Sequence, residues 1–214
     1  MLLFNIPEIR KSLKELLKDF KKINKTLSIK REELTISHVE NVLCAYQYLN
    51  ELLVSEIELF SKMGLFSLLE LNHLVLCGKD SEKRAEYHKH IMKTQEKFTQ
   101  RIPDLIAWYN KAEKTLDPYD LSTGFYWRQL SQPQLFIEGN HRTGNILINY
   151  MLLRMNKPPF IVNANNAWGY FEYSGRIKFS SKEKIIHSLF NLPKHGRDLQ
   201  EFIVENSSRK YIVE

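Results

Sequence analysis

Apolar residues recur at a spacing of three or four along most of this chain, which restricts it to helices packed on one another. After Pro7, residues Ile9, Leu13, Leu16, Leu17, Phe20 and Ile23 fall on one stripe, with lysines on the opposite face. Proline suits the first turn of such a helix, where its missing N–H has no partner to lose. A second stretch from about 30 to 62 keeps Val39, Val42, Leu43, Tyr46, Leu49, Leu52, Leu53 and Ile57 in register, with Gly64 as its stop. Further helices are expected over 66–77, closed by Gly78, and over 103–114, 119–131 and 141–156. Ser180 and Glu183 have the form of a capping box for a helix near 181–191, and a last helix falls between Pro193 and Ser207. The expected class is all-α.

Composition narrows the setting. A chain of 214 residues buries roughly 70% of its unfolded surface, enough for one sizeable core. With 8 glycines and 7 prolines there is little linker material. We expect an N-terminal amphipathic helix over 1–28 and one compact domain over 29–214. The lysine face of the first helix suits a partner or a membrane surface, but packing of the apolar face on the domain is the simpler expectation. No apolar run reaches the ~20 residues that cross a bilayer, and the start lacks a basic leader and cleavage site, so a cytoplasmic location is expected. Cys44 and Cys77 lie singly in apolar helical contexts, as buried free thiols do. The net charge of +6 is modest and implies no specific nucleic-acid partner.

The stretch Phe136-Ile137-Glu138-Gly139-Asn140-His141-Arg142-Thr143-Gly144-Asn145 concentrates the chemistry. An acid and a Gly-Asn turn lead to a cation, then to an apolar helical run (Ile146, Leu147, Tyr150, Met151, Leu153). The first N–H groups of a helix lack internal partners and point toward any anion placed there. Arg142 adds a fixed charged fork, and Glu138 is a carboxylate suited to a hard divalent cation. Two readings follow: a nucleotide or polyphosphate cradle, or an ordinary polar loop capping a helix.

The string Gln134-Leu135-Phe136-Ile137-Glu138-Gly139-Asn140-His141-Arg142-Thr143-Gly144-Asn145 resembles the Fic (Fido) signature, His-x-Phe-x-Asp/Glu-Gly-Asn-Gly/Lys-Arg-x-x-Arg. Phe136, Glu138, Gly139, Asn140 and Arg142 match in register. Leu153-Arg154-Met155-Asn156-Lys157-Pro158-Pro159-Phe160-Ile161 looks like the family's helix exit, and Ile102–Asn110 resembles its preceding helix, so the likeness spans about residues 30–190. The resemblance implies a Fic-like helical domain with a short β-hairpin flap, and a transferase that moves AMP from ATP to a protein hydroxyl. It implies ATP held by Gly139, Asn140, His141, Arg142, Thr143, Gly144 and Asn145, with Mg²⁺ on Glu138. Gln134 stands where the family's general base stands, and an amide cannot take up a proton near neutral pH. A positioned base contributes about 10²–10⁴-fold, so impaired transfer is expected, with Gln134, Glu138 and His141 as candidate catalytic residues. His141 replaces Gly or Lys, as a phosphate contact or a substitute base, and Asn145 replaces the second Arg. The alternative is a non-catalytic regulatory module, a pseudoenzyme or antitoxin-like partner, on the same cradle.

Four further expectations complete the reading. Residues 84–101 show weak period-2 alternation and sit where the family's flap docks a target protein as an added strand. His88 and His90 would then share a strand face, as surface residues or, less simply, as a metal pair. Thr35-Ile36-Ser37-His38-Val39-Glu40-Asn41 looks like the family's inhibitory helix, although Asn145 offers Glu40 no charge to pair with. Trp168, Tyr170, Phe171 and Tyr173 form an aromatic patch suited to core packing, a dimer contact or stacking on adenine.

Overall fold

In a computed structural model, which describes residues 2–213, helices account for most of the chain and the all-α class is met. Helix α1 (Ile6–Thr26) begins at Asn5, whose side chain accepts from the Glu8 N–H, with Pro7 in the first turn. Its stripe is buried as expected at Ile9, Leu13, Leu16 and Phe20, and it packs against α2 (Ile36–Val54). Thr35 caps α2 through a reciprocal pair with His38. Then follow α3 (Gly64–Cys77), the short α4 (Ser81–Glu86), α5 (His88–Ala112) and α6 (Pro118–Leu130). Helices α7 (Asn140–Arg154), α8 (Ala167–Lys178) and α9 (Leu192–Asn206) complete the bundle.

Helix α7 is the hub. Every residue from Thr143 to Leu153 is buried, against α6, α3 and α2. The enclosed polar side chains Thr143, Asn145 and Asn149 are hydrogen-bonded, and each Leu or Ile so covered contributes about 1.5–3 kcal/mol. The strand content is one antiparallel pair, β1 (Leu3–Phe4) with β2 (Ile212–Val213), which ties the two ends of the chain together.

Three expectations need correction. The segment 84–101, expected as a hairpin flap, is helical: it spans the end of α4 and the first part of α5, whose buried residues Thr94, Phe98, Ile102 and Leu105 repeat at helical spacing, and Pro103 lies inside α5. No strand edge for a target protein exists there, and His88 and His90, two apart on a helix, do not face each other. Gly64 starts α3 rather than stopping α2: a Cβ there would lie 1.9 Å from Glu58 O, so the glycine admits the returning loop. The expected helix near 181–191 is a π-helical turn, His187–Asn191, that runs into α9. Ser180 donates to Arg176 O instead of capping. The sequence reading missed α8, because Gly169 and Gly175 interrupt its stripe; both admit close neighbours, Phe202 and Arg31. Cys44 and Cys77 are free thiols, and no helix is long and apolar enough to cross a membrane among the described residues.

Candidate functional site

A cleft of about 400 Å³ opens at the first turn of α7. Its walls are the glycine loop, the extended strap 27–35 between α1 and α2, and the end of α8. Gly139 precedes the helix at φ 74°, a left-handed conformation, and a Cβ there would meet Asn72 Nδ2 at 2.8 Å. Both facts require glycine. The Thr143 N–H returns to Gly139 O, while the N–H groups of Asn140, His141 and Arg142 meet no acceptor among the described residues. That is the donor set a helix start offers to an anion.

The loop is held from behind. Asn140 Oδ1 accepts from the Phe136 N–H and its Nδ2 donates to Phe136 O, each at 3.0 Å. Its amide is therefore a brace between the two ends of the turn, and only its backbone is free for a ligand. Lys97 Nζ donates to Phe136 O at 2.8 Å. Asn72 Nδ2 bonds both Glu138 O and Thr143 Oγ1 at 3.0 Å, and Gln129 Nε2 donates to Asn140 O at 3.1 Å. Asn140 and three side chains from three neighbouring helices, Asn72, Lys97 and Gln129, thus fix the loop's shape.

Cations line the cleft. Arg142 donates from Nη1 to Val75 O at 2.9 Å; burial draws its pKa down, and nearby Glu32 and Glu138 draw it back up. Arg31, on the strap, places its guanidinium over Phe171 and donates to Phe171 O. It fits there because Gly175 has no side chain, for a Cβ would lie 2.8 Å from Nη2. Burial lowers its pKa as well, against Tyr126, Tyr170 and Glu172. Lys178 and Lys30 add two more positive groups to the wall, and Glu32, Glu33 and Glu138 the negative ones.

The hydrogen bonds around His141 fix its proton. Tyr170 Oη donates its only hydrogen to His141 O at 3.1 Å. Tyr126 Oη, 2.9 Å from Tyr170 Oη, must then be the donor of that pair. It is left to accept from His141 Nδ1 at 3.3 Å, which assigns the hydrogen to Nδ1. His141 Nε2 in turn carries the lone pair that accepts from Arg31 Nη1 at 3.3 Å, because guanidinium only donates. Burial holds the imidazole well below its usual pKa, and Arg31, Lys178 and Arg142 push in the same direction. His141 is a neutral ring with both nitrogens engaged.

The remaining sequence candidates divide by face. Gln134, Glu138, Gly139, Asn140, His141 and Arg142 line the cleft. Thr143, Gly144 and Asn145 do not. Thr143 is turned to Asn72, Gly144 abuts Gln129 and Tyr126, and Asn145 is buried beside Tyr46, Asn149 and Phe160 O. Residues three to five places into a helix turn away from its N-terminal axis, so the motif's second half belongs to the core here. Gln134 donates to Leu130 O at 3.0 Å. Glu40 pairs with Arg10 at 2.6 Å on the surface, a contact worth about 0–1 kcal/mol. Of the aromatic patch only Phe171 borders the cleft, joined by Phe20 and Phe179. Tyr170 is buried and Trp168 exposed.

Among the described residues no group of three or more His, Cys, Asp or Glu is arranged to hold a metal ion. Glu138 is exposed, with Glu32 and Glu33 on the same cleft wall, and a single such carboxylate fits a cation whose other ligands are phosphate oxygens and water. Arg31, Asn72, Lys97 and Tyr126 escaped the sequence reading, and Tyr170, expected as part of an aromatic patch, acts at the site through its hydroxyl. These residues come from five helices or loops remote in sequence, where no local pattern ties them to the glycine loop. No protein-family model, curated protein or solved structure matches this chain.

Proposed function

We propose that this protein is a Fic-like nucleotide-binding module that takes the phosphates of a nucleotide such as ATP at the start of α7, with transfer of AMP impaired or absent. The observation that carries this reading is the coincidence, in one cleft of about 400 Å³, of the free N–H groups of Asn140–Arg142 with Arg142, Arg31 and Lys178. Helix start and guanidinium together neutralise a pyrophosphate far better than either alone. Phe171, Phe20 and Phe179 supply an apolar wall for a base. Glu138 would hold Mg²⁺, which neutralises phosphate charge when bound.

Two features favour binding over turnover. Gln134 cannot accept a proton, and both histidines of the cleft have a ring nitrogen already accepting, His141 Nε2 from Arg31 and His38 Nδ1 from the Thr35 N–H. A carboxylate such as Glu138 keeps the transferase reading alive only if the hydroxyl nucleophile is activated by some other group. The fitting role is that of a regulatory module that recognises nucleotide.

Thermal unfolding with Mg²⁺ and ATP, ADP or AMP tests the reading. Saturation at 100 times the dissociation constant adds about 2.7 kcal/mol, a rise in midpoint of roughly 5–10 °C for a domain of this size. Arg142→Ala removes the rise. An unchanged midpoint with every nucleotide overturns the proposal. Labelled-nucleotide transfer to lysate proteins stays at background for the natural chain, and Gln134→His raises it if the transferase geometry is otherwise intact.

A further inference from the structure

We infer that the cavity between α5, α6 and the 180–192 segment is a second anion site, separate from the α7 cleft, that takes a small molecule bearing a phosphate or carboxylate group. The cavity is about 650 Å³, within the range of small-molecule pockets. Three cations converge on it, Arg101 from α5, Arg128 from α6 and Lys182. Among the described residues none of them is in an ion pair, although Asp104 and Glu183 also border the cavity. Their protein acceptors are backbone carbonyls: Arg128 donates to Gly124 O at 3.0 Å, and Lys182 Nζ to Arg128 O at 2.6 Å.

Arg128 is the built element. Its guanidinium carbon lies 3.9 Å from the Trp108 ring centre and 3.7 Å from that of Trp127, so the fork is clamped between two indoles. The indoles exclude water from both of its faces while leaving its edge to donate. Burial brings the Arg128 pKa down to about 10. Burial first, then Arg101, Arg128 and Lys97, brings that of Lys182 down to about 8, against a small opposing pull from Glu183. Crowded, dehydrated cations that make no ion pair are what an incoming anion stabilises.

An independent observation points the same way. Gln129 is 1% exposed, borders this cavity, and its Oε1 has no hydrogen-bond partner. A buried acceptor left unmade costs about 1–3 kcal/mol, so the cavity wall holds a polar group that the protein itself leaves unsatisfied. Three convergent charges in a recess, rather than a basic stripe, suit a small oxyanion and not a nucleic-acid backbone.

Tryptophan fluorescence of a Trp168→Phe chain reads this site, since the two remaining tryptophans, Trp108 and Trp127, both border the cavity and neither borders the α7 cleft. Titration at pH 7 with inorganic phosphate, glucose 6-phosphate and citrate gives a saturable change. A response to the phosphates only assigns the phosphate source, and to citrate only the carboxylate source. Lys182→Gln and the exposed Arg101→Ala each weaken it at least several-fold, whereas Arg142→Ala, in the other cleft, leaves it intact. Affinity also falls several-fold between pH 7 and pH 9 as Lys182 loses its proton. No response to any of the three anions, or responses unaltered in both Lys182→Gln and Arg101→Ala, overturns the inference.

Discussion

Arg31 Nη1 stands 3.3 Å from His141 Nε2, so two groups able to carry charge share one contact, and only the arginine is charged. The guanidinium never yields its proton near neutral pH. The imidazole must therefore accept, and its own protonation would set two cations against each other in a half-buried place. Position 141 thus holds a neutral ring that anchors the strap to the helix start.

This pairing has a pH signature. The folded pKa of His141 is depressed, so its contribution to stability is present above the ordinary histidine value of about 6.5. It is lost as pH falls toward the folded value, at up to ~1.4 kcal/mol per pH unit. His38 and His195 are lowered by burial too, so the comparison is with His141→Gln, whose amide cannot titrate. Urea unfolding at pH 7 and pH 5 shows a smaller loss in the variant. Equal losses in both proteins refute the assigned proton.

Gly139→Ala forces a side chain into φ 74° and within 2.8 Å of Asn72 Nδ2. The left-handed conformation alone costs about 1–2 kcal/mol, and the displaced Asn72 adds to it. The urea midpoint drops accordingly, together with any nucleotide-induced rise in melting temperature. A variant as stable as the natural chain contradicts the loop geometry.

Asn72→Ala removes the donor shared by Glu138 O and Thr143 Oγ1. Losing two bonds of this kind costs about 1–3 kcal/mol. The more telling readout is local. Amide hydrogen exchange should rise over residues 136–143 and stay unchanged in α9.

Asn145→Arg restores the letter that the Fic signature has at this position, and it is expected to fail. Asn145 is buried with Tyr46, Asn149 and Phe160 O around it. An unpaired charge in such a place is destabilising by about 3–5 kcal/mol. Circular dichroism melting shows the loss, and nucleotide affinity does not improve. A folded variant with stronger ATP binding means that position 145 reaches the cleft.

The chain's local chemistry announced much of this. The stripes of α1 and α2 were legible because one face of each meets the core at helical period, α7 because its run from Ile146 to Leu153 is apolar almost throughout, and Gly78 ends α3 at φ 64° as glycine does. The Glu-Gly-Asn turn into α7 was legible for the same reason, since a left-handed residue before a helix nearly specifies glycine. The 84–101 segment was misread because its buried residues are sparse and polar or aromatic, and their period shows only once burial is known.

What the sequence by itself determined was a helical protein with an anion-suited helix start at Gly139–Arg142. Only the tertiary structure decided which side chains share that start. Arg31 reaches it through the notch at Gly175, His141 is kept neutral by partners at positions 31, 126 and 170, and Asn145 is withdrawn into the core. The physical reason is that backbone conformation follows near neighbours in the chain. Charge state and access follow whatever the packed helices bring within a few ångströms, however distant in sequence.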